Sequence, residues 1–389
     1  MKFQVIRILW VCMTGLLVPK TGQSGLFARE IDCGFGGSGI QRAIDSARNG
    51  DVLRIRGRCR ETLRIEGKNI RLEAHPGAIL EAPDTSWSML PVTTMHPMIL
   101  VLNSRVEIEG FVIDGRYRAD DPEVNGLMGI DLINSGAELI GNRWVRFRHT
   151  QHQSDEEVIP IRILHTPAFP HLLSRRAGRV VIEKNRIEDF ESNGIFAIVQ
   201  PHPQAPPPLP LLIRNNEIIG SGPMIQNQNG VQIGGYADAS PHPMEVEIEG
   251  NLFEGFFSFS GIWHSSGILV TPTLTLSGSA LRPIRVECRK NLILSSNTGI
   301  SLSTSSKSVV VENLIQQGTR GMVLEGNSIH VRKNHLQNLE IGIKEKGETT
   351  GRIRLQRQQT WIQVERAFEE PETNARPSSI CRGAEGRIR

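Results

Sequence analysis

Val180-Val181-Ile182-Glu183-Lys184-Asn185-Arg186-Ile187 reads as an apolar alternating strand, a turn asparagine and a second short apolar strand. The phrase returns as Leu211-Leu212-Ile213-Arg214-Asn215-Asn216-Glu217-Ile218 and as Val246-Glu247-Ile248-Glu249-Gly250-Asn251-Leu252-Phe253, and again around Asn142, Asn291, Asn313 and Asn334. A glycine then opens a third strand in most copies. Asn291 and Asn313 stand 22 residues apart and Asn313 and Asn334 stand 21 apart, whereas earlier copies are 31 to 43 apart because sequence is inserted between the same core segments. A unit of this length cannot bury its own apolar face and needs a stacked neighbour, so the pattern predicts a solenoid of strands.

A solenoid grows along one axis, which lets a chain of 389 residues form one elongated domain. Lys and Arg total 44 against 41 Asp and Glu, a net charge of +3 that implies no strong field for nucleic acid or membrane. At the start, Lys2 and Arg7 precede an apolar run from Ile8 to Val18, with Gly22 and Ser24 suiting a cleavage site. This predicts a signal peptide over 1–24 and a secreted or periplasmic protein without a membrane span; a buried first strand is the alternative. Cys12 would leave with the leader. Of the four cysteines that remain, Cys33 and Cys59 flank the first helix and the strand after it, so a bridge there would staple one end of the solenoid. A Cys288–Cys381 bridge would require the tail to fold back on a late coil.

Ser38-Gly39-Ile40-Gln41 has the form of a capping box, and Ile40, Ala43, Ile44 and Ala47 share one helical face before Asn49-Gly50. A short helix over 40–48 should therefore cover the N-terminal end of the coil. This stretch, with Ile31-Asp32-Cys33, Gly50-Asp51-Val52, Gly57-Arg58-Cys59-Arg60-Glu61 and Ile70-Arg71-Leu72, resembles the start of secreted bacterial right-handed parallel β-helix proteins of the pectin-lyase-like superfamily. The later Asn-x-Ile and Gly-Ile copies resemble that superfamily's coil repeat, over about 30–346. The resemblance implies an all-β, right-handed parallel β-helix over 25–346 with a short capping helix, and leaves activity open, because the superfamily spans lyases, hydrolases, epimerases, esterases and non-catalytic adhesins. After Gly347 the repeat stops, which predicts a C-terminal cap through Trp361-Ile362-Gln363-Val364 and a loosely ordered tail to 389.

Inserted sequence falls before the third strand of the early coils, as in 115–128, 149–160, 221–229 and 255–266, and after it, as in 166–178, 200–210, 234–244 and 271–283. Both sets flank one sheet and should wall a groove over the first half of the solenoid. Strand alternation turns Asp131, Arg162, Phe196, Gln232, Leu269 and Ser301 outward from successive coils. In-register strands lie about 4.8 Å apart, placing Asp131 beside Arg162 on an exposed groove floor, either as a proton-abstracting and uronate-binding pair or as a solvated ion pair. His149 and His152 are candidate bases, and Asp155, Glu156 and Glu157 in the same run could hold a calcium ion. Trp263, His264 and Tyr236 border the groove and could stack on sugar rings, while Arg116 enters from the turn after Asp114-Gly115. The repeated asparagines are expected to be structural, their amides satisfying one another at the turns.

Gly-His-Gly, Asn-Thr-Asp and Asp-Pro-His-Glu phrases, phosphate loops, zinc spacings and Gly-x-Ser-x-Gly elbows are all missing. Two functions remain. One is an exported protein that binds an extended, acidic polysaccharide along the groove and cleaves it by β-elimination. The other is a non-catalytic surface or matrix protein whose solenoid is a rigid binding rod.

Overall fold

The computed structural model describes residues 28–84, 95–121, 124, 126–150, 158–166, 178–199, 210–222, 227–235, 244–258, 265–272, 284–304, 306–326, 328–345, 354–355 and 359–369. The strands among them pair in parallel, each with the equivalent strand one coil before and one coil after. Three sheets result, running along the solenoid axis. A typical coil passes through Val180–Glu183 in the first sheet, Arg186–Glu188 in the second and Asn193–Val199 in the third. In the late coils the second and third strands fuse into long ones, such as Leu292–Thr304 and Leu314–Gly326, because nothing is inserted between them. The pairing continues past the repeat visible in the sequence: Thr360–Glu369 stacks on His335–Glu345, and Trp361 and Val364 pack against the end of the core. One contiguous apolar core runs from Ile31 to Ile343.

The corner between first and second sheets is built by two residues. Lys184, Asn215, Lys290, Glu312 and Lys333 take left-handed backbone conformations with φ of 53 to 57°, and the next residue is always a buried asparagine. Asn216 shows the pattern. Its Oδ1 accepts from the backbone N–H of Asn185 at 2.9 Å, and its Nδ2 donates to the carbonyl of Ile182 at 2.8 Å and to Oδ1 of Asn251 at 2.9 Å. The ladder runs unbroken from Asn142 to Asn334, where Gln359 Oε1 accepts the last N–H at 2.9 Å. Buried turn backbone is thus satisfied without water.

At the corner between second and third sheets, the repeated glycine has a packing cause. Trp144, Phe147, Phe190, Phe253 and Phe256 fill the interior there, all fully buried. A Cβ on Gly230 would lie 2.5 Å from Phe253 Cδ1 and 2.6 Å from the carbonyl of Gly267, so no larger residue fits.

The N-terminal helix spans Ile40–Ser46 and buries Ile40, Ala43 and Ile44 over the first coil. Its start differs from the capping box expected at Ser38: no side chain of the N-cap bonds it. The Glu61 carboxylate, arriving from the next turn of chain, accepts the N–H groups of Gly39, Ile40 and Gln41 at 2.7, 2.8 and 3.0 Å. An anion offers more to three aligned N–H dipoles than a serine hydroxyl does. Lys68 closes the other end through the carbonyls of Ile44, Asp45 and Ala47. The Cys33–Cys59 disulfide ties this cap together, with Cα atoms 5.1 Å apart. Cys288 is a free, buried thiol among the described residues, and Cys381 lies outside them. No described helix is long and apolar enough to cross a membrane.

Candidate functional site

The outward row of the third sheet follows the expected order. Leu100, Asp131, Arg162, Phe196, Gln232, Leu269, Ser301 and Val323 are register partners on successive strands. Asp131 and Arg162 are indeed side by side, with Arg162 Nε donating to Oδ1 at 2.9 Å and Nη2 to Oδ2 at 2.6 Å.

The expectation that this pair lies exposed is wrong. The Asp131 side chain is 1% exposed and that of Arg162 10%. The reason is the company they keep: Leu100, Leu102, Ile133 and Leu164 form one apolar cluster outside the main core, and Met128, Ile159 and Phe196 form another, packed by Met95 and Ile198. Outward positions of the early coils therefore read as interior. A charge held there needs an opposite charge, and the bidentate geometry supplies it. Arg162 is thereby committed to Asp131 rather than offered to a ligand.

Further along, the face opens. Gln232, Leu269 and Ser301 are half-buried rather than closed. Beside them runs a second strip that strand alternation alone does not reveal, Asn193, Asn229, Ser266 and Thr298, again register partners and all buried, 2 to 7% exposed. Asn229 Nδ2 donates to Oδ1 of Asn193 and to Oε1 of Gln232, both at 3.1 Å, while its own Oδ1 accepts the N–H of Ser266 at 3.1 Å. This holds the Gln232 oxygen toward Asn229 and turns its amide nitrogen away. The signal was present in the sequence as the residue before each third-strand glycine: Asn193-Gly194, Asn229-Gly230, Ser266-Gly267 and Thr298-Gly299. Since each of those glycines points inward at the corner, the residue before it points out.

The remaining candidates gather at the corner between second and third sheets of the early coils. His149 is buried, and its Nδ1 is 2.5 Å from Oε2 of Glu191, an oxygen that also accepts the His149 backbone N–H at 3.0 Å. Its described partner is thus Glu191, a residue absent from the sequence reading, and not the Asp131–Arg162 pair. Arg116, expected to meet substrate, instead donates to the carbonyl of Ala82 at 3.0 Å and to Asp84 at 2.6 Å. Next to it, Tyr117 donates its hydroxyl to Asp189 at 2.9 Å, with the guanidinium carbons of Arg146 and Arg148 5.9 and 5.8 Å from the ring centre. Burial and the neighbouring Asp189 carboxylate raise the Tyr117 pKa, so the phenol stays protonated. Arg146 pairs in turn with Asp114, and Arg148 with Asp189. Each cation in this corner is answered by a carboxylate.

His152, Asp155, Glu156, Glu157, Tyr236, Trp263 and His264 lie outside the described residues. Among the described residues, no group of three His, Cys, Asp or Glu side chains is placed to hold a metal ion.

Residues 171–351 match the family model described as a right handed beta helix region. No curated protein matches the chain. The match begins after the strand Ile159–His165, and the coils before it carry the same parallel pairing.

Proposed function

We propose that this chain, a pectin-lyase-like right-handed parallel β-helix protein, binds an extended polysaccharide along the outer face of its third sheet, over the middle coils. The observation that carries the reading is the half-buried row Gln232, Leu269 and Ser301 on successive strands, with the buried strip Asn193, Asn229, Ser266 and Thr298 behind it, where Asn229 Nδ2 holds the Gln232 oxygen. Amide and hydroxyl groups are matched to sugar hydroxyls, and apolar side chains to the C–H faces of the rings. Strands repeat every 4.8 Å or so, close to the advance of a sugar unit, so one ligand could repeat the same contact coil after coil. Export fits the apolar leader and the Cys33–Cys59 disulfide, which persists in oxidising compartments.

Binding without cleavage is the reading the geometry favours. β-Elimination needs a base and a cation available to the developing negative charge. Arg162 is bonded to Asp131, and His149 is buried at another corner beside Glu191, so neither is presented to a ligand on the open row. With Arg162 neutralised, the case for an acidic glycan weakens, and neutral polysaccharides belong in the same screen.

The test is a panel of neutral and uronate polysaccharides presented to the purified protein. At least one should be retained, and Gln232→Ala should weaken it about five- to tenfold, the loss expected of one neutral hydrogen bond. Retention of none, or a Gln232→Ala protein that binds like the parent, overturns the site. Ultraviolet absorbance from an unsaturated product on any uronate polymer would overturn the non-catalytic reading and restore the lyase.

A further inference from the structure

The buried strip of the third sheet does not stop at Thr298. Its next register partner is Arg320, followed by Ile341. Arg320 keeps the pattern of the strip, standing immediately before a third-strand glycine. A Cβ on Gly321 would lie 2.5 Å from the Gly342 carbonyl and 2.9 Å from Leu339 Cδ1, so that glycine faces the interior and Arg320 faces out. The guanidinium is thus carried on the same outer face as Gln232, Leu269 and Ser301, on the strand whose Val323 is the register partner of Ser301.

Arg320 differs from the other arginines that the fold half-buries. Arg60, Arg71, Arg116, Arg146, Arg214 and Arg289 are each held by a carboxylate, as is the more deeply buried Arg162. Arg320 is half-buried as well, yet among the described residues it makes no ion pair or hydrogen bond, and its Nε is shut off from solvent without a partner. Its register partners Thr298 and Ile341 are neutral and buried. A cation taken partly out of water with no opposite charge is unfavourable. At the other positions the chain supplies the answering carboxylate itself, and at Arg320 it leaves that place open.

We propose that Arg320 is an anion-reading subsite at the late end of the glycan strip, taking a carboxylate or a sulfate ester carried on a sugar ring. The inference rests on the glycan reading of this face for the carrier, and on Arg320 alone for the charge. The guanidinium fork presents parallel N–H donors that match two oxygens of either group. Arg320 lies on the third strand beyond that of Gln232. At about 4.8 Å per strand this is about 14 Å along the axis, so a glycan touching both needs about four sugar units. Arg162, closed by Asp131, has no such role.

The test is affinity electrophoresis of the full chain in gels containing polygalacturonate or its full methyl ester, and dextran sulfate or plain dextran, so that each anionic polymer has a neutral counterpart. The parent should bind at least one anionic polymer about tenfold or more tightly than its counterpart, the gain expected of one charge-assisted contact, and the larger preference identifies the anion. Arg320→Gln should abolish that preference and leave binding of the neutral form unchanged. Arg320→Lys, with the charge but not the fork, should restore only part of it. Because Arg320 has no bond to lose, circular dichroism and melting of both variants should match the parent. Gln232→Ala should weaken anionic and neutral polymers alike, which separates the two readings. Equal binding within both pairs, or a preference that survives Arg320→Gln, overturns the anion subsite and leaves the strip standing if Gln232→Ala still weakens binding. A preference lost with Arg320→Gln but no effect of Gln232→Ala overturns the strip and keeps the subsite. Retention by none of the four polymers overturns both.

Discussion

Replacing Arg162 by alanine tests whether the third sheet's outer face is closed in the early coils. The substitution removes both hydrogen bonds to Asp131 and leaves a carboxylate that is 1% exposed. Breaking one side of a buried ion pair costs about 3–5 kcal/mol, because the remaining charge has neither partner nor water. An exposed pair would lose about 1 kcal/mol at most. The two cases are far enough apart to decide. Urea denaturation followed by circular dichroism gives the loss, and hydrogen exchange over Leu127–Ile133 and Ile159–His165 shows where it falls, since a solenoid can open locally. The double variant Asp131→Leu/Arg162→Met replaces both charges by apolar groups among Leu100, Ile133 and Phe196, and should return to within about 1 kcal/mol of the parent or exceed it. It should also keep glycan binding. A loss below about 1 kcal/mol for Arg162→Ala would refute the reasoning, because it would mean that water reaches Asp131 and that Arg162 is available to a ligand.

Other outcomes follow from the corners and the cap. Asn216→Ala orphans the N–H of Asn185 and the carbonyl of Ile182, both buried, and should cost about 2–6 kcal/mol in the same denaturation assay, at one to three per group. Gly230→Ala places a methyl against Phe253 and the Gly267 carbonyl and should lower the melting temperature sharply, whereas alanine at Gly67, with open space around it, should cost only the strain of its left-handed backbone, about 1–2 kcal/mol. Cys288, its thiol pushed up to about 12 by burial, should resist alkylation in the folded protein and react only after denaturation. Reducing Cys33–Cys59, which closes a loop of 26 residues, should cost about 3 kcal/mol, read as a shift in the urea midpoint.

The solenoid was legible in the sequence because its determinants are local and repeated. Alternation places Ile182 and Ile187 inward, the asparagine at each first corner is dictated by turn backbone that must be bonded, and parallel stacking brings Asp131 opposite Arg162 from register alone. Even the amide strip was written there, in the residue before each third-strand glycine. Burial was not legible. The rule that outward side chains are exposed holds for an uncovered sheet, and nothing in a single strand says whether its outer face is covered. Leu100, Ile133 and Phe196 on that face make the difference, and they act only when assembled as clusters around the ion pair. The same holds for partners distant in sequence: Glu61 displacing Ser38 as the helix cap, and Glu191 meeting His149 across 42 residues. Local pattern determines which way a side chain points, and only the folded coil determines what it finds there.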